Sequence, residues 1–338
     1  MTHPHRIAVI GGDGIGPEVT AAALEIIAHA GVSVETTNYD LGAARYLRDG
    51  FVLDDATLNE LRGFDAILLG AIGPAIGDTR IPGGTLERGL LLKMRFGLDL
   101  YINYRPFRGV PGSIAEGCEF AIVRENTEGP YAGEGGTLRY GTAHEIATQG
   151  SVNTRFGVER CVRYAFERAN ALPNKKVTLV HKTNVLTFAG DLWSRVAREV
   201  AAEYPEVTLD YNHVDAACIY LVEDPKRYSI IVTDNLFGDI LSDLAGAVSG
   251  GIGYAASGNI NPEKTAASIF EPVHGAAHDI VGQNKANPLA AVSSAVLLLE
   301  HLGEFEAARR IDAAVRDFTG DPVALGTTGI TTALKENI

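Results

Sequence analysis

The sequence predicts an α/β fold in which helices cover both faces of a β sheet. The first observation behind this prediction is the alternation of short β-branched runs with longer segments of helical periodicity. The second is size and composition. The chain has 338 residues, of which 46% are apolar and 21% charged, which is typical of a globular protein with enough chain for two domains.

The alternation begins at the N-terminus. The run RIAVI (6–10) is apolar and β-branched, as expected of a buried strand. A helix is predicted from Pro17 to Ala30, because proline suits the first turn of a helix. Two further strands, 32–40 and 65–70, flank another helix, and Thr85–Phe96 has helical periodicity.

The same alternation continues through the rest of the chain. Strands are predicted at 119–125, 176–182, 207–214 and 229–234, and helices at 152–170, 188–203, 235–248 and 289–302. Two Gly-rich stretches interrupt the pattern. The first, 127–150, lacks a clear period and is expected to form an extended arm or hairpin. The second, 246–261, suits a hinge.

Charge and cysteine content exclude several classes of protein. The net charge of −13 argues against a nucleic-acid partner, although a local arginine cluster can still attract an anionic substrate. Cys118, Cys161 and Cys218 lie far apart, which argues against a disulfide framework or a thiolate metal site. No apolar run reaches the roughly 18 residues of a membrane span. The N-terminus lacks a signal-peptide pattern, so a cytoplasmic protein without a membrane partner is expected.

The turn after the first strand, Gly12-Asp13-Gly14-Ile15-Gly16, superficially resembles a dinucleotide-binding fingerprint. Its third glycine comes one residue too early for GxGxxG, and Pro17 follows it. We therefore expect a tight strand-to-helix turn whose backbone can approach a ligand.

Three arginines are candidates for binding a dicarboxylate. Arg95, Arg105 and Arg124 each lie near the end of a predicted helix or strand, among apolar residues. Guanidinium groups bind carboxylates through paired hydrogen bonds. Any one of them alone would more often be a surface or ion-pair arginine, and the acidic residues described next favour the binding interpretation.

Asp239 and Asp243 are candidates for holding a metal ion. At this spacing the two carboxylates share one face of a helix and repel each other unless a cation binds between them. Oxygen ligands suit Mg²⁺ or Mn²⁺, and Asp215 is a candidate third ligand. Such a pair is more often a solvated helix face, but the apolar neighbours Ile240 and Leu241 indicate a partly buried helix.

Lys182 and Tyr131 are candidates for proton transfer. Lys182 ends an apolar strand, where an amine beside a metal can act as a base, although a lysine at such a position is usually just exposed. Tyr131 lies in a Gly-rich stretch and can donate a proton, or it can simply pack.

The segment from Glu271 to Asn287 holds candidate NAD contacts, with a polar surface loop as the alternative. Gly275 and its small neighbours allow a ligand to approach the backbone. The carboxylate of Asp279 suits the ribose hydroxyls of NAD and would repel a 2′-phosphate, so NAD is favoured over NADP.

Eight ordered motifs together resemble the β-decarboxylating dehydrogenases, the family of isopropylmalate, isocitrate, homoisocitrate, tartrate and D-malate enzymes. The motifs are GDGIGPEV (12–19), LERGLLLKMR (86–95), NYRPFRGVPG (103–112), VRENTEGPY (123–131), HKTNVL (181–186), VDAACIY (214–220), TDNLFGDILSDL (233–244) and FEPVHGAAHDIVGQNKANP (270–288). They span nearly the whole chain. Segments 38–46, 151–160 and 181–193 are most similar to actinobacterial isopropylmalate enzymes of this family.

The resemblance implies a role for each candidate residue. The malate carboxylates would be bound by Arg95, Arg105 and Arg124, with Asp215 also beside the substrate. The ligands of Mg²⁺ or Mn²⁺ would be Asp215, Asp239 and Asp243, and K⁺ is a further candidate cation. Lys182 would be the base and Tyr131 the proton donor. Glu271 would lie near the nicotinamide, and the adenosine part of NAD would be bound by His274, Gly275, Asp279 and Asn287.

The resemblance also implies an isopropylmalate dehydrogenase-like two-domain fold. Residues 1–98 and 249–338 would form the cofactor-side domain. Residues 99–248 would form the metal-binding and dimerisation domain, with a clasp arm near 127–150. The active site would be shared across a homodimer, each site taking its counterparts of Lys182 and Asp215 from the second subunit.

The implied activity is the NAD-dependent oxidative decarboxylation of (2R,3S)-3-isopropylmalate to 4-methyl-2-oxopentanoate and CO₂, a step of leucine biosynthesis. Leu91, Leu92 and Val185 match the family's pocket for the isopropyl group, whose burial contributes roughly 1.5–3 kcal/mol. Asn126 is more typical of other branches, so tartrate, D-malate, homoisocitrate or another 3-substituted malate are alternative substrates. A non-catalytic regulatory subunit is disfavoured, because all the arginine, lysine, tyrosine and metal positions keep their residues.

Overall fold

The computed structural model describes residues 3–338. The strands are β1 (His5–Gly12), β2 (Val34–Asn38), β3 (Ala66–Ala71), β4 (Ile102–Arg108), β5 (Glu119–Glu125), β6 (Gly135–Leu138), β7 (Ile146–Gln149), β8 (Lys176–His181), β9 (Thr208–His213), β10 (Ile230–Thr233), β11 (Ala256–Ile260) and β12 (Ser268–Pro272). The α-helices are α1 (Gly16–His29), α2 (Ala43–Asp49), α3 (Asp55–Arg62), α4 (Lys93–Gly97), α5 (Arg155–Asn170), α6 (Thr187–Ala201), α7 (Val214–Glu223), α8 (Asn235–Val248), α9 (Leu289–Leu302), α10 (Phe305–Arg316) and α11 (Pro322–Lys335).

The chain divides into two compact units. The first combines the described residues up to Leu100 with Gly251–Ile338, and the second is Tyr101–Gly250. The first unit has five described strands, and the second has five strands in one sheet and the separate pair β6 and β7. Helices accompany the strands in both units, so the predicted α/β class is confirmed.

In the first unit the strand order is β2-β1-β3-β12-β11. Strands β1, β2, β3 and β12 are parallel, and β11 runs antiparallel to β12. All six residues of β3 (AILLGA) are buried, as expected of an apolar central strand covered on both faces. Helices α1 and α9 pack against this sheet and against each other.

The turn between β1 and α1 approaches another part of the same unit. The N–H of Asp13 donates to the carbonyl of Ala71 (2.7 Å), and the N–H of Ile15 donates to the carbonyl of Ala276 (2.8 Å). Gly14 has a φ of +59°, and a Cβ on it would lie 1.8 Å from the carbonyl oxygen of Ala276. The predicted tight turn is therefore present, and its glycine is required by a close approach to the chain itself.

In the second unit the strand order is β4-β5-β10-β8-β9. Strand β4 is antiparallel to β5, while β5, β10, β8 and β9 are parallel. Helix α5 packs against α6 and α7 against α8, and each pair contacts strands of this sheet. Side-chain caps begin two of these helices: Thr154 caps α5, and Asp234 caps α8 by accepting from the N–H of Phe237 at 2.8 Å.

Most of the predicted strands and helices are present, with two corrections. Thr85–Phe96 is helical as predicted, and its Glu87–Leu92 part is π-helical before α4 begins. Two helices, α2 and α3, replace the single helix predicted between the second and third strands. The strand predicted at 207–214 ends at His213, so Asp215 lies in the first turn of α7. The stretch 127–150 contains the antiparallel hairpin of β6 and β7, all eight of whose strand residues are exposed.

Candidate active site

Most of the site residues predicted in the second unit follow the carboxyl ends of its parallel strands. Arg124 lies near the end of β5, Lys182 follows β8, Asp215 follows β9, and the helix of Asp239 follows β10. Parallel strands end at one edge of a sheet, which is where α/β proteins bind ligands. The sheet topology therefore brings residues that are distant in sequence to the same end of the parallel strands.

Arg124, Tyr131 and Asp239 form the centre of this cluster. The Arg124 side chain is 1% exposed, and its Nη1 donates to Oδ1 of Asp239. The hydroxyl of Tyr131 donates to Oδ2 of the same carboxylate at 2.9 Å. The Arg124 guanidinium also lies over the Tyr131 ring, 5.2 Å from its centroid. The structure thus brings a predicted carboxylate-binding group, the predicted proton donor and a predicted metal ligand into direct contact.

Arg105 and Asp243 lie beside this cluster. Arg105 is buried in β4, and its Nη1 donates to Oγ of Ser242 at 2.6 Å and lies 3.6 Å from Oδ1 of Asp243. Burial raises the pKa of Asp243, Arg105 opposes that shift, and the charge of Asp239 adds to it. Two carboxylates on one helix face therefore repel each other, as the spacing predicted.

Lys182 and Asp215 form a separate pair. Nζ of Lys182 donates to Oδ1 of Asp215 at 2.7 Å. This hydrogen bond is the main reason that the pKa of Asp215 lies below its usual range. Val185, predicted to line the substrate pocket, is 65% exposed three residues after Lys182.

Asp215 does not join Asp239 and Asp243 as a metal cluster within this one chain. Among residues 3–338, no three His, Cys, Asp or Glu side chains are grouped to hold a metal ion. The paired carboxylates of α8 still fit a divalent cation, because they are oxygen donors whose mutual repulsion a cation would relieve. The three-aspartate site remains a prediction.

In the first unit, predicted substrate and cofactor residues also meet. Nη2 of Arg95, in α4, lies 3.5 Å from Oε1 of Glu271, in β12. Both side chains are largely buried, at 13% and 14% exposure. Asn259 donates to the same Glu271 oxygen at 2.7 Å. The predicted nicotinamide neighbour and a predicted carboxylate ligand are therefore an ion pair.

Leu91 and Leu92 belong to the π-helical segment that precedes Arg95. Leu91 packs against an apolar core cluster of the first unit, and its neighbour Leu90 is a fully buried member of that cluster. Leu92 is half-buried. Short π-helical segments inside helices are frequent at functional sites.

The predicted cofactor loop contains a buried ring nitrogen, Nε2 of His274, without a hydrogen-bond partner among residues 3–338. His274 Nδ1 lies 3.0 Å from the carbonyl oxygen of Gly275, so in the neutral ring Nδ1 carries the proton. Burial lowers the pKa of His274, which favours that neutral form. Nε2 is then a buried acceptor, and none of residues 3–338 supplies it with a hydrogen-bond donor. A ribose hydroxyl or an adenine amino group fits such an atom.

The remaining cofactor-loop residues leave room for a ligand. Asp279 is exposed and Asn287 half-buried, and no described heavy atom lies within 4 Å of a Cβ placed on Gly275. A cavity of about 400 Å³ opens nearby, lined among others by Gly14, Arg80 and His278. The chemistry of this loop therefore fits NAD.

Sequence reasoning missed two buried carboxylates, Asp13 in the first unit and Glu125 in the second. Asp13, 4% exposed, accepts from the N–H groups of Ala43 (2.8 Å), Ala44 (3.0 Å) and Gly73 (3.0 Å). It thereby joins the first turn to two other segments of its unit. The sequence feature that could have indicated its role was its position between two glycines, Gly12 and Gly14.

Glu125, 1% exposed, holds the turn that leads to Tyr131. Its carboxylate accepts from N and Oγ1 of Thr127 (2.8 and 2.7 Å) and from N of Glu128 (2.7 Å). Burial raises its pKa to about 7 despite these hydrogen bonds. Its position beside Arg124 in VRENTEG was the available signal.

Comparison with known proteins decides the family. The model of the isocitrate/isopropylmalate dehydrogenase family matches residues 6–332. The chain belongs to this family. It is 61% identical over 315 residues to a 3-isopropylmalate dehydrogenase of Corynebacterium diphtheriae, covering 92% of each chain. It is 55% identical to that of Thermobifida fusca, covering 98% of this chain and 96% of the relative. These matches confirm the resemblance to actinobacterial isopropylmalate enzymes.

Solved structures agree with the family assignment. The isocitrate dehydrogenase of Methylococcus capsulatus superposes with a TM-score of 0.87 at 38% identity, covering 98% of this chain and 99% of that one. A β-decarboxylating dehydrogenase of Thermococcus kodakarensis gives a TM-score of 0.80 at 36% identity, covering 98% and 96%. The chain is therefore an enzyme, a β-decarboxylating dehydrogenase. Across residues 3–338, no helix has both the length and the apolar character to cross a membrane.

Proposed function

We propose that this enzyme oxidises and decarboxylates 3-isopropylmalate, giving 4-methyl-2-oxopentanoate and CO₂ in leucine biosynthesis. The observation that supports the proposal is the contact of Arg124, Tyr131 and Asp239, the residues to which we assign anion binding, proton donation and metal binding. The 55–61% identity to relatives named 3-isopropylmalate dehydrogenase supports the choice of substrate.

The substrate would be held by its two carboxylates. Arg95, Arg105 and Arg124 suit them because each guanidinium offers paired donors in a fixed plane. In the single chain, each lies within ion-pair distance of a carboxylate whose place a substrate carboxylate can take: Glu271, Asp243 and Asp239 respectively. Leu91, Leu92 and Val185 would contact the isopropyl group, where a third carboxylate such as that of isocitrate would be left without a partner.

Proton transfers fall to the two remaining side chains. Lys182 would take the hydroxyl proton as the carbon-bound hydrogen leaves as hydride. Loss of CO₂ then leaves an electron pair on the neighbouring carbon, and Tyr131 would supply the proton that completes the product. When bound, NAD accepts the hydride and a divalent cation stabilises the negative charge that develops on oxygen.

The cofactors are proposed with the residues that would hold them. Asp239 and Asp243, completed by Asp215, would bind Mg²⁺ or Mn²⁺, with K⁺ as a further candidate cation. Glu271 would lie beside the nicotinamide, and His274, Gly275, Asp279 and Asn287 would bind the adenosine part of NAD. We assign the cofactor side to residues 1–98 and 249–338, and metal binding and dimerisation to 99–248.

We also propose that the enzyme is a cytoplasmic homodimer that shares its active sites. Helices α7 and α8 carry exposed apolar side chains, including Ile219 (54% exposed), Val222 (43%) and Ile240 (52%), which suits an interface. The arm near 127–150 would clasp the dimer. The counterparts of Lys182 and Asp215 would then come from the second subunit, which accounts for a metal site not complete in one chain.

The proposed reaction is tested by measuring NADH formation. Purified enzyme is supplied with NAD and, in parallel, with 3-isopropylmalate, tartrate, D-malate, homoisocitrate or isocitrate, with Mg²⁺ or with EDTA. We expect the highest kcat/KM with 3-isopropylmalate and no turnover in EDTA. A higher kcat/KM with another acid would reassign the substrate, and full activity in EDTA would remove the metal from the mechanism.

A further inference from the structure

Asn235 is a buried polar residue at the meeting point of three site residues. It is the first residue of α8 and is 1% exposed. Its amide makes three hydrogen bonds, all within the second unit and all to segments that carry Arg124 or Tyr131.

The amide oxygen fixes the plane of the Arg124 guanidinium. Nε and Nη2 of Arg124 both donate to Oδ1 of Asn235, at 2.9 and 2.7 Å. The third nitrogen, Nη1, donates to Asp239, one turn later on the same helix. Because Nε and Nη2 share one acceptor on α8, Asn235 continues to set the plane of the guanidinium when a substrate carboxylate takes the place of Asp239.

The amide nitrogen fixes the turn that leads to Tyr131. Nδ2 of Asn235 donates to the carbonyl oxygen of Glu128 at 3.1 Å. The next residue, Gly129, has a φ of +72°, and a Cβ on it would lie 3.3 Å from Cβ of Asn235. The chain therefore passes directly over Asn235 before reaching Tyr131, whose hydroxyl also donates to Asp239.

We propose that Asn235 is a positioning residue that sets Arg124 and Tyr131 relative to each other. The inference rests on the proposed function, because it assigns Asn235 to the binding and protonation steps described above. The neutral amide offers both the acceptor that Arg124 needs and the donor that the carbonyl of Glu128 needs. An aspartate would keep the acceptor, lose the donor and add a charge that competes with the substrate for Arg124.

The test compares Asn235→Ala and Asn235→Asp with a matched control, Asn212→Asp. Asn212 is a half-buried asparagine of β9 whose amide also both donates and accepts, to Tyr211 and from Tyr228. For Asn235→Ala we expect KM for 3-isopropylmalate to rise roughly 10- to 100-fold, since the two hydrogen bonds from the charged Arg124 guanidinium are lost. Asn235→Asp should lower kcat at least about 10-fold, since the Glu128 bond is lost. KM for NAD and the melting temperature of Asn235→Asp should match those of Asn212→Asp.

A second measurement does not depend on activity. Hydrogen exchange at the Arg124 Nε–H is followed by NMR, with the resonance assigned from an Arg124→Lys variant. Exchange should accelerate at least about 10-fold in Asn235→Ala and stay slow in Asn235→Asp, because only the aspartate keeps the acceptor. Unchanged exchange in Asn235→Ala, or wild-type kcat and KM in Asn235→Asp, would overturn the inference. Inactivity of the wild type on every acid of the panel would instead refute the proposed function, and the exchange measurement would still decide the role of Asn235.

Discussion

The role of Lys182 as the base can be tested against a closely matched control, Lys176, at the opposite end of strand β8. Lys182 follows β8 and pairs with Asp215 at 2.7 Å, and its side chain is 25% exposed. Lys176 begins β8 and pairs with Asp210 at 3.1 Å, with 23% of its side chain exposed. The two lysines thus differ in position but hardly in burial or pairing.

We expect Lys182→Met to lower kcat by roughly two to four orders of magnitude, as is typical when general-base catalysis is lost. Lys176→Met should leave kcat within about 2-fold of the wild type, since surface ion pairs contribute little. Steady-state NADH formation and melting temperatures of both variants provide the measurement. Equal kcat values for the two variants would remove Lys182 from the proton transfer.

Glu125 predicts a pH dependence of stability. Its pKa rises from 4.5 in the unfolded chain to about 7 in the folded one, because burial penalises its charged form. The folded state then binds the proton more tightly, so this contribution to stability is fully present below about pH 4.5 and lost as pH rises through about 7. The shift corresponds to about 3 kcal/mol.

Glu125→Gln provides the measurement, because glutamine does not titrate. The free energy of unfolding of the wild type minus that of the variant should fall by about 3 kcal/mol between about pH 4.5 and about pH 8. Urea denaturation across this range measures it. Glu119→Gln, on the same strand but with 55% of its carboxylate side chain exposed, is the control measured over the same pH range. A pH-independent difference for Glu125→Gln would show that its carboxyl titrates normally.

At the scale of elements, the π-helical segment Glu87–Leu92 carries neighbouring leucines of different burial, which predicts that core packing and substrate contact belong to different residues. Leu90 is fully buried in the core, Leu91 packs against it, and Leu92 is half-buried. We expect Leu92→Ala to lower kcat/KM for 3-isopropylmalate roughly 10- to 200-fold, the range for lost apolar contact in a pocket, while unsubstituted malate is affected less.

Leu90→Ala is the control for this element. Loss of the Leu90 side chain from the core should lower the free energy of unfolding by roughly 2–5 kcal/mol. It should not change the ratio of kcat/KM for 3-isopropylmalate to kcat/KM for malate. Parallel kinetics with both acids, together with urea denaturation, distinguish the two effects. An unchanged ratio in Leu92→Ala would mean that Leu92 does not contact the isopropyl group.

The elements also show what the sequence could and could not predict. Strand β3 and helix α8 were predictable, because apolar runs and helical spacing are local properties. The π-helical segment was not, since its hydrogen bonding depends on how the segment packs. Local patterns also could not show that Glu271 meets Arg95 or that Arg124 meets Asp239, 115 residues away. Only the resemblance to a family assigned these residues to one site.

At the scale of the whole molecule, the separation of the site residues into two groups is the property to test. Within one chain, Lys182 pairs with Asp215, whereas Asp239 contacts Arg124 and Tyr131. A single chain has no three-ligand metal group among its described residues. If the sites are shared across a dimer, one subunit supplies the first group and its partner the second.

Hybrid dimers of two inactive variants test this arrangement directly. Lys182→Met and Asp239→Asn subunits, carrying different affinity tags, are co-expressed and their hybrid is purified on both tags. Sharing would place both substitutions in one site and leave the other intact, so the hybrid should have about half of the wild-type activity. A hybrid of Lys182→Met with Asp215→Asn is the matched control. These two residues pair within one chain, so each of its sites keeps a substitution and it should stay inactive. If both hybrids are inactive while light scattering shows twice the 35.9 kDa chain mass, the dimer does not share its sites in this way.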